Sequence, residues 1–300
     1  MGLPLGAPIP LDVASATTLP EGLLEASVDV VRRFGGLERL YGVAGAERIR
    51  NAHVVVAGIG GVGSWAVEAL ARSGVGRLTL IDLDHISESN INRQIHALTG
   101  TLGQAKVEAM RDRIASINPE CKVFTVDDFV EPDNWLALLE ATRTQQGSVT
   151  ALIDACDQVR AKVAMAAWAR RHDSREFNDA GTRFITVGAA GGKRMAHRVD
   201  IDDLALVTHD PLLAQLRQRL RKQHGAPREG KKIGVTCVFS RESVSPPDAS
   251  CAIEPEGGQV AGSDGTLNCH GYGSVVTVTA TFGQCAAGWV LDEIARSATL

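Results

Sequence analysis

Residues 53–63 read HVVVAGIGGVG, and this stretch decides the fold. Its apolar first half predicts a buried β-strand, and residues 65–73 have the pattern of the helix that follows it. Glycines at the junction permit a tight turn and let backbone N–H groups at the start of the helix approach a phosphate. Four glycines occupy the junction: Gly58, Gly60, Gly61 and Gly63. A strand, a glycine-rich turn and a helix in this order predict a nucleotide-binding α/β fold.

The alternation of strand and helix continues along the chain. Further apolar strands are predicted at residues 77–82, 122–127, 149–155 and 184–189, with helices at residues 104–117, 132–142 and 159–172. Near-continuous apolar strands separated by helices predict a doubly wound, mainly parallel, Rossmann-like sheet of the α/β class. Beyond about residue 195 the pattern loosens into a basic helix at 212–223, a Gly-, Pro- and Ser-rich stretch at 225–271 and a terminal helix.

This pattern divides the chain into three parts. We expect a disordered tail over residues 1–20, a nucleotide-binding domain over residues 21–195 and a smaller C-terminal portion over residues 196–300. The C-terminal portion is expected to include a crossover loop and the terminal helix.

Composition and charge exclude several classes of protein. The 300 residues are 44% hydrophobic and 22% charged, which is ordinary for a soluble globular protein and excludes a disordered or collagen-like chain. The net charge of −4 provides no overall field that would attract nucleic acid or an anionic membrane. The six cysteines form no C-x-x-C pair, so neither zinc nor a thioredoxin-type motif is expected. Because no secretory signal is visible, we expect a cytoplasmic protein.

One uncharged stretch tests the expectation of a soluble protein. Residues 271–291 are long enough to cross a bilayer. Their Gly, Thr, Ser and Gln residues make the stretch only moderately apolar, which favours a buried C-terminal helix over insertion into a membrane.

An acidic residue ends the second predicted strand. Asp82 follows Gly63 by nineteen residues, which is the position from which a carboxylate reaches the ribose hydroxyls of a bound nucleotide. This pattern predicts an adenine nucleotide, but it does not distinguish NAD from ATP.

Two cations and a second carboxylate favour ATP. Cleaving ATP between its α- and β-phosphates develops negative charge, which Arg and Lys side chains must stabilise. Arg93 and Lys106 follow the second strand and Asp157 follows the fourth, so the three lie on segments that meet at one edge of a parallel sheet. A lone Arg or Lys is usually a solvated surface residue, but this convergence predicts a triphosphate site. Asp157 supplies the carboxylate that would hold Mg²⁺.

These residues together resemble the ubiquitin-activating-type superfamily of adenylating enzymes. The matching residues are Gly58–Gly63, Asp82, Asp84, Asn92, Arg93, Gln94, Lys106, Asp154 and Asp157. The resemblance implies contacts with phosphate (Gly60, Gly61), ribose (Asp82), the triphosphate (Asn90, Arg93, Lys106), Mg²⁺ (Asp157) and the adenine or ribose side (Gln158).

Longer motifs resemble one family within that superfamily, the bacterial tRNA threonylcarbamoyladenosine dehydratases. They are RFGG at 33–36, RLYG at 39–42, NRQIHAL at 92–98, INPEC at 117–121, VDDFV at 126–130 and GVTCVFS at 234–240. The resemblance implies an ATP-dependent dehydration of threonylcarbamoyladenosine in tRNA to a cyclic form, with release of AMP and diphosphate, in a homodimer. Two alternatives stay open. One is adenylation of the C-terminal glycine of a ubiquitin-like or sulfur-carrier protein, and the other is a non-catalytic, NAD-responsive module.

The chain departs from the superfamily at its start. Gly36 stands where the second arginine of an R-x-x-R pattern would be, so the arginine that one protomer lends to its partner would be Arg33 or Arg39. Many sulfur-carrier adenylating enzymes hold zinc with two C-x-x-C pairs, and their absence here favours the dehydratase family. The sequence leaves open a monovalent cation and a sulfur-transfer partner such as a cysteine desulfurase.

Cys237 and a basic segment complete the candidate residues. Cys237 falls where the superfamily has a loop with a catalytic cysteine, although a cysteine in an apolar run is often a small buried hydrophobe. Residues 212–232 are strongly basic, which predicts contacts with tRNA phosphates and a steep salt dependence of binding. The candidates are Arg217, Arg219, Arg221, Lys222, Lys231 and Lys232. The C-terminal portion would thus bind tRNA, and the domain over residues 21–195 would bind ATP and adenylate the substrate.

Overall fold

The computed structural model describes residues 29–172, 181–228, 230–248 and 272–297. The tail expected over residues 1–20 lies outside this part of the chain.

Seven strands form one sheet in the order β3-β2-β1-β4-β5-β7-β6. They are β1 (His53–Ala57), β2 (Arg77–Ile81), β3 (Lys122–Val126), β4 (Ala151–Asp154), β5 (Arg183–Val187), β6 (Val199–Asp203) and β7 (Thr236–Ser240). Each neighbouring pair is parallel except β6 and β7, which are antiparallel. The predicted α/β class with a mainly parallel sheet is therefore confirmed.

Seven helices flank the sheet in the described residues. They are α1 (Val30–Asn51), α2 (Gly63–Arg72), α3 (Lys106–Ile117), α4 (Trp135–Gln146), α5 (Val159–His172), α6 (Pro211–Gln223) and α7 (Val276–Arg296). Helix α1 is kinked at Gly42, whose φ of 74° lies in the left-handed region. Short 3₁₀ turns cover Glu88–Asn90, Thr99–Thr101 and Ala196–Arg198.

The sheet is the middle of three layers. Helices α1, α2, α3 and α7 pack on one face, and α4, α5 and α6 pack on the other. Strand β1 is buried along its whole length, because Val54 and Val56 face the first helical layer while Val55 and Ala57 face the second. Covering both faces explains why the central strands are apolar at successive positions.

The structure corrects the interpretation of the C-terminal portion. The resemblance implies a loop at Cys237, within the Gly-, Pro- and Ser-rich stretch at 225–271, but residues 236–240 form strand β7. Strands β6 and β7 extend the same sheet across the boundary drawn at residue 195, and α7 packs against α1 and α2. The terminal segment is thus a buried helix of the common core. Within the described residues, no helix has both the length and the apolar character needed to cross a membrane.

Candidate nucleotide-binding site

A cavity of about 230 Å³ opens at the carboxyl edge of the sheet, and we call it the edge cavity. It lies where the strand order reverses between β1 and β4, the point at which open parallel sheets bind ligands. Its walls come from the glycine turn after β1, from the segments that follow β2, β3, β4 and β5, and from the first turns of α6 and α7.

The glycines of the turn have different surroundings. A Cβ at Gly63 would overlap the carbonyl oxygen of Gly58. A Cβ at Gly58 would lie 2.8 Å from the carbonyl oxygen of Ala155, and the φ of +87° at this residue favours glycine. At Gly60, in contrast, a Cβ would meet no atom within 4 Å. Gly58 and Gly63 are therefore required by the backbone itself, whereas Gly60 leaves space for a ligand. At Gly61 a Cβ would lie 3.4 Å from the side chain of Arg93.

Asp82, Asp84 and Lys106 form a charged wall of the edge cavity. Lys106 Nζ lies 2.6 Å from Asp84 Oδ2 and 3.9 Å from Asp82 Oδ1. Asp82 accepts hydrogen bonds from the backbone N–H groups of Ile59, at 2.6 Å, and of Asp84, at 2.9 Å. Burial raises the pKa of the Asp82 carboxyl, and the nearby Lys106 ammonium opposes this rise. The carboxylates therefore hold both the turn and the lysine in place.

His96 supports the glycine turn from the interior. Its Nε2 lies 2.8 Å from the carbonyl oxygen of Ile59, and only 2% of the residue is exposed. Burial lowers the pKa of His96 to about 4, so the ring is neutral near pH 7. A neutral ring that donates from Nε2 has an unprotonated Nδ1, and this atom has no partner among the described residues.

The segment after β2 places Asn90, Arg93 and Gln94 on the cavity wall. Arg93 Nη1 donates to the carbonyl oxygen of Ser89, at 2.5 Å, and to Asn92 Oδ1, at 3.0 Å. Asn90 Oδ1 accepts from the N–H of Ser87 and caps the 3₁₀ turn. Gln94 is buried, and its Oε1 has no partner within the part of the chain that the structure describes. The arginine therefore lies beside the cavity, held by a short turn.

Asp157 and Gln158 are exposed at the cavity wall directly after β4. The other carboxylate of this motif, Asp154, is fully buried and pairs with Lys162, with 3.2 Å between Oδ2 and Nζ. Thr186 also donates to Asp154, at 2.6 Å. Asp154 therefore belongs to the interior of the sheet, and Asp157 is the carboxylate of the pair that reaches the edge cavity.

Several lining residues were not predicted. Phe129 and Val130 line the cavity from the segment after β3, and Thr279 lines it from α7. Residues 188–191, after β5, form the far wall, which the buried Asp210 fixes by accepting the N–H of Ala189 at 2.9 Å. The carboxyl ends of β3 and β5 could have indicated two of these segments from sequence. The contribution of α7 depends on long-range packing that no local pattern reveals.

Cys237 does not lie in a loop, and this expectation is corrected. It occupies the second position of β7, is fully buried, and does not line the edge cavity. Burial raises the pKa of its thiol, and Sγ lies 3.5 Å from the carbonyl oxygen of Val235. A protonated thiol inside the core agrees with the alternative interpretation, in which Cys237 is a small buried hydrophobic residue.

The two candidate arginines of α1 also lie away from the edge cavity of their own chain. Arg33 Nη1 donates to the carbonyl oxygen of Ile117, at 2.8 Å, and Arg39 is exposed on the same helix. Neither residue lines the cavity.

The basic segment extends away from the cavity. Leu212, in the first turn of α6, lines the edge cavity, and the last turn of this helix lies about 15 Å further along its axis. Lys222, Lys231 and Lys232 are exposed there. Arg217 and Arg221 instead donate to backbone carbonyls, at 2.8 Å to Val207 and 3.1 Å to Pro227. Arg219 lies on the same helix and is partly exposed.

The assembled site has the chemistry of a phosphate site. An open glycine turn, the start of α2, an arginine and a lysine converge on one cavity, where they would stabilise negative charge on the phosphates of a nucleotide. A family model described as the ThiF family matches residues 35–294. This chain belongs to the ThiF family.

Relatives of this ThiF-family chain agree with the resemblance seen in its motifs. The tRNA threonylcarbamoyladenosine dehydratase of Escherichia coli is 42% identical over 272 residues, which cover 89% of this chain and 95% of that protein. Crystal structures of the E. coli tRNA N6-threonylcarbamoyladenosine dehydratase with AMP and with ATP match this ThiF-family fold with a TM-score of 0.73 each. Their identities are 41% and 40%, and each alignment covers 89% of this chain and 96% of that chain. The resemblance to this family is therefore confirmed.

Proposed function

We propose that this chain uses ATP to dehydrate N6-threonylcarbamoyladenosine in tRNA to its cyclic form. The observation that carries the proposal is the edge cavity, where Arg93 and Lys106 lie beside the open turn at Gly60. The 42% identity to a dehydratase of this name over nearly the whole chain supports the choice of substrate. This support favours the dehydratase over carrier-protein adenylation and over an NAD-responsive module.

The proposed reaction has two steps. First, a carboxylate oxygen of the threonylcarbamoyl group bonds to the α-phosphorus of ATP, while the bond from that phosphorus to the β-phosphate oxygen breaks and diphosphate leaves. Second, an internal nitrogen bonds to the acyl carbon, AMP departs with the former carboxylate oxygen, and the nitrogen loses its proton to solvent. The nucleoside thereby loses one water, and ATP becomes AMP and diphosphate. No sulfur is transferred, so this chemistry requires no sulfur donor.

Different side chains of the edge cavity would contact different parts of ATP. Lys106 would exchange its contact with Asp84 for a phosphate oxygen, and Arg93 would turn from the carbonyl of Ser89 towards the diphosphate as its charge develops. The carboxylate of Asp82 would accept hydrogen bonds from the ribose. The open space at Gly60 would let the backbone approach the phosphates.

We propose that Mg²⁺ accompanies ATP and that Asp157 holds it. Within the described residues, no group of three or more His, Cys, Asp or Glu side chains could form a metal cage. A single exposed carboxylate fits Mg²⁺ nonetheless, because this ion is usually bound by one or two carboxylates together with substrate phosphates and water. When bound, the ion would neutralise charge on the triphosphate.

We further propose a cytoplasmic homodimer that binds tRNA with the basic end of α6. The first half of α1 exposes Val31, 73% accessible, and Leu40, 71% accessible, which supports an interface on this helix. Lys222, Lys231 and Lys232 are exposed and positioned for phosphate contacts. The cytoplasmic location follows from the proposed substrate, tRNA.

The test is mass spectrometry of tRNA nucleosides after incubation with ATP. We expect threonylcarbamoyladenosine to lose the mass of one water, with one AMP released per nucleoside. Asp157→Asn should abolish AMP release and leave the fold intact, because its side chain is exposed and of nearly the same size. Full turnover by Asp157→Asn would remove the proposed metal role. Unchanged tRNA, with AMP release that responds to a carrier protein instead, would overturn the proposed substrate.

A further inference from the structure

The backbone of Arg93 is held from two helices. Trp65 Nε1, on α2, donates to the carbonyl oxygen of Arg93 at 2.9 Å. The hydroxyl of Thr279, on α7, lies 3.3 Å from the same carbonyl oxygen, and also 3.3 Å from the carbonyl oxygen of Val276. Neighbouring Asn92 donates from Nδ2 to the carbonyl oxygen of Ser274, at 3.0 Å, just before α7 begins. Three contacts therefore attach the arginine segment to α2 and α7.

This attachment matters because the arginine segment has little regular structure of its own. Arg93 follows a single 3₁₀ turn, Glu88–Asn90, and residues 91–98 contain no helix or strand. Its guanidinium contacts only groups of the same turn, Ser89 and Asn92, among the described residues. The backbone N–H groups of Ile91, Arg93 and Gln94 are bonded only within local turns. The position of the segment relative to the edge cavity therefore relies on partners outside it.

The two donors are themselves fixed in relation to each other. Helices α2 and α7 pack so closely at Gly283 that a Cβ there would overlap the carbonyl oxygen of Val62 and lie 2.9 Å from Trp65 Cβ. Thr279 precedes Gly283 by one helical turn and lines the edge cavity. The indole and the hydroxyl therefore reach the Arg93 carbonyl from a rigid helix pair.

We propose that Trp65 and Thr279 are positioning residues, which hold the Arg93 backbone so that its guanidinium reaches the phosphates of the nucleotide. The inference rests on the proposed function only in taking ATP as the nucleotide. It assigns a role in nucleotide binding to the C-terminal helix, which the sequence had indicated only as part of the core.

The test removes the two donors one at a time. Thr279→Val deletes the hydroxyl, Thr279→Ser keeps it, and Trp65→Phe deletes the indole N–H. Thr281→Val is the matched control, because Thr281 donates to the carbonyl oxygen of Thr277 on the same helix and does not touch the arginine segment. The dissociation constant of ATP is measured by calorimetry, and folding is checked by the melting temperature.

We expect Trp65→Phe and Thr279→Val each to weaken ATP binding about five-fold, as for the loss of one hydrogen bond. Thr279→Ser and Thr281→Val should stay within about two-fold of the unsubstituted chain. The decisive experiment introduces Trp65→Phe into the Arg93→Ala variant. In that variant the indole has no guanidinium left to position. There it should change the dissociation constant by less than about two-fold, because the two residues act as one unit.

The outcomes separate this inference from the proposed function. An equal loss of affinity from Trp65→Phe in both backgrounds, or no loss in either, would show that the indole acts only on folding and would overturn the positioning role. An unsubstituted chain that does not bind ATP at all would instead overturn the proposed function. Should Trp65→Phe fail to fold, the comparison of Thr279→Val with Thr279→Ser decides the question.

Discussion

At Gly60 the glycine turn has room for a side chain, whereas at Gly63 it has none. We predict that Gly60→Ala leaves the melting temperature nearly unchanged and weakens ATP binding about ten-fold or more, because the added methyl occupies space that a phosphate would take. Calorimetric titration with ATP, together with a thermal melt, measures both effects.

Gly63→Ala is the control for this prediction. Its Cβ would overlap the carbonyl oxygen of Gly58, so the strand–turn–helix junction itself must move. We expect a loss of about 1–3 kcal/mol of unfolding free energy, the usual cost of overpacking a close contact. If Gly60→Ala bound ATP normally, the phosphates would not approach the turn at that residue.

His96 makes the stability of the chain depend on pH. The unfolded chain binds a proton at this ring near the ordinary pKa of 6.5, whereas the folded chain binds it only near pH 4. The unfolded state therefore binds more protons between these values, and stability falls as the pH falls through this window. We predict that His96 accounts for about 3 kcal/mol of this loss.

The comparison variant is His96→Gln, which keeps an N–H donor for Ile59 and does not titrate in this range. Denaturant unfolding at pH 7 and pH 4 should show a smaller acid loss in His96→Gln than in the unsubstituted chain. If the unfolding free energy fell equally from pH 7 to pH 4 in both proteins, the fold would not be holding the ring neutral.

At the scale of elements, the contact between α2 and α7 depends on Gly283. We predict that Gly283→Ala lowers the unfolding free energy by about 1–3 kcal/mol, because its Cβ would overlap the carbonyl of Val62 and force the helices apart. It should also weaken ATP binding, since Trp65 and Thr279 move with the helices.

Gly288 on the same helix provides the matched control. It is exposed, and a Cβ there would meet no atom within 4 Å. Gly288→Ala should therefore stabilise the chain by about 1 kcal/mol through helix propensity alone and leave ATP affinity unchanged. Thermal melts and ATP titrations of both variants test the prediction, and equal effects at the two glycines would contradict it.

The central elements could be predicted because their residues carry local patterns. Strands β1 to β5 are apolar. The Gly58–Gly63 turn marks the end of β1, and Pro119 marks the end of the helix before β3. Strand β6, with the sequence VDIDD, lies at the sheet edge, where acidic residues alternate with apolar ones and leave no apolar run. Strand β7 is a short run inside a Gly- and Pro-rich stretch, which does not favour a strand, and the superfamily resemblance implies a loop at Cys237.

Some residues of the candidate site could likewise be predicted from the sequence, and others could not. Asp82, Arg93 and Asp157 could be placed at one edge because each follows the carboxyl end of a predicted strand or its connection. Thr279 could not, because it reaches the cavity only through the packing of α7 on α2, nearly two hundred residues from Arg93 in sequence. Local patterns locate strand ends, whereas contacts between distant helices require the folded chain.

At the scale of the whole molecule, the exposed basic residues allow a test of RNA binding. We predict that Lys232→Ala reduces the slope of log affinity for tRNA against log salt by about one, as for the loss of one phosphate contact. Lys122→Ala, an exposed lysine on the strand at the opposite end of the sheet, should leave the slope unchanged. Filter binding at several salt concentrations measures the slopes.

ATP affinity provides an internal check on this prediction. Because neither Lys232 nor Lys122 lines the edge cavity, neither substitution should alter ATP affinity. A lysine variant that lost ATP affinity would indicate a change in the fold, and equal slopes for Lys232→Ala and the unsubstituted chain would place the RNA elsewhere.

The distance between the edge cavity and the basic end of α6 has a further consequence for avidity. An RNA that touches both places behaves as a bivalent ligand, because its backbone links the modified nucleoside to distant phosphates. Once the phosphates are bound, the nucleoside reaches the cavity at a high effective concentration. The cavity itself then needs only weak affinity for the nucleoside, so an isolated threonylcarbamoyladenosine should be a far poorer substrate than the same nucleoside within tRNA.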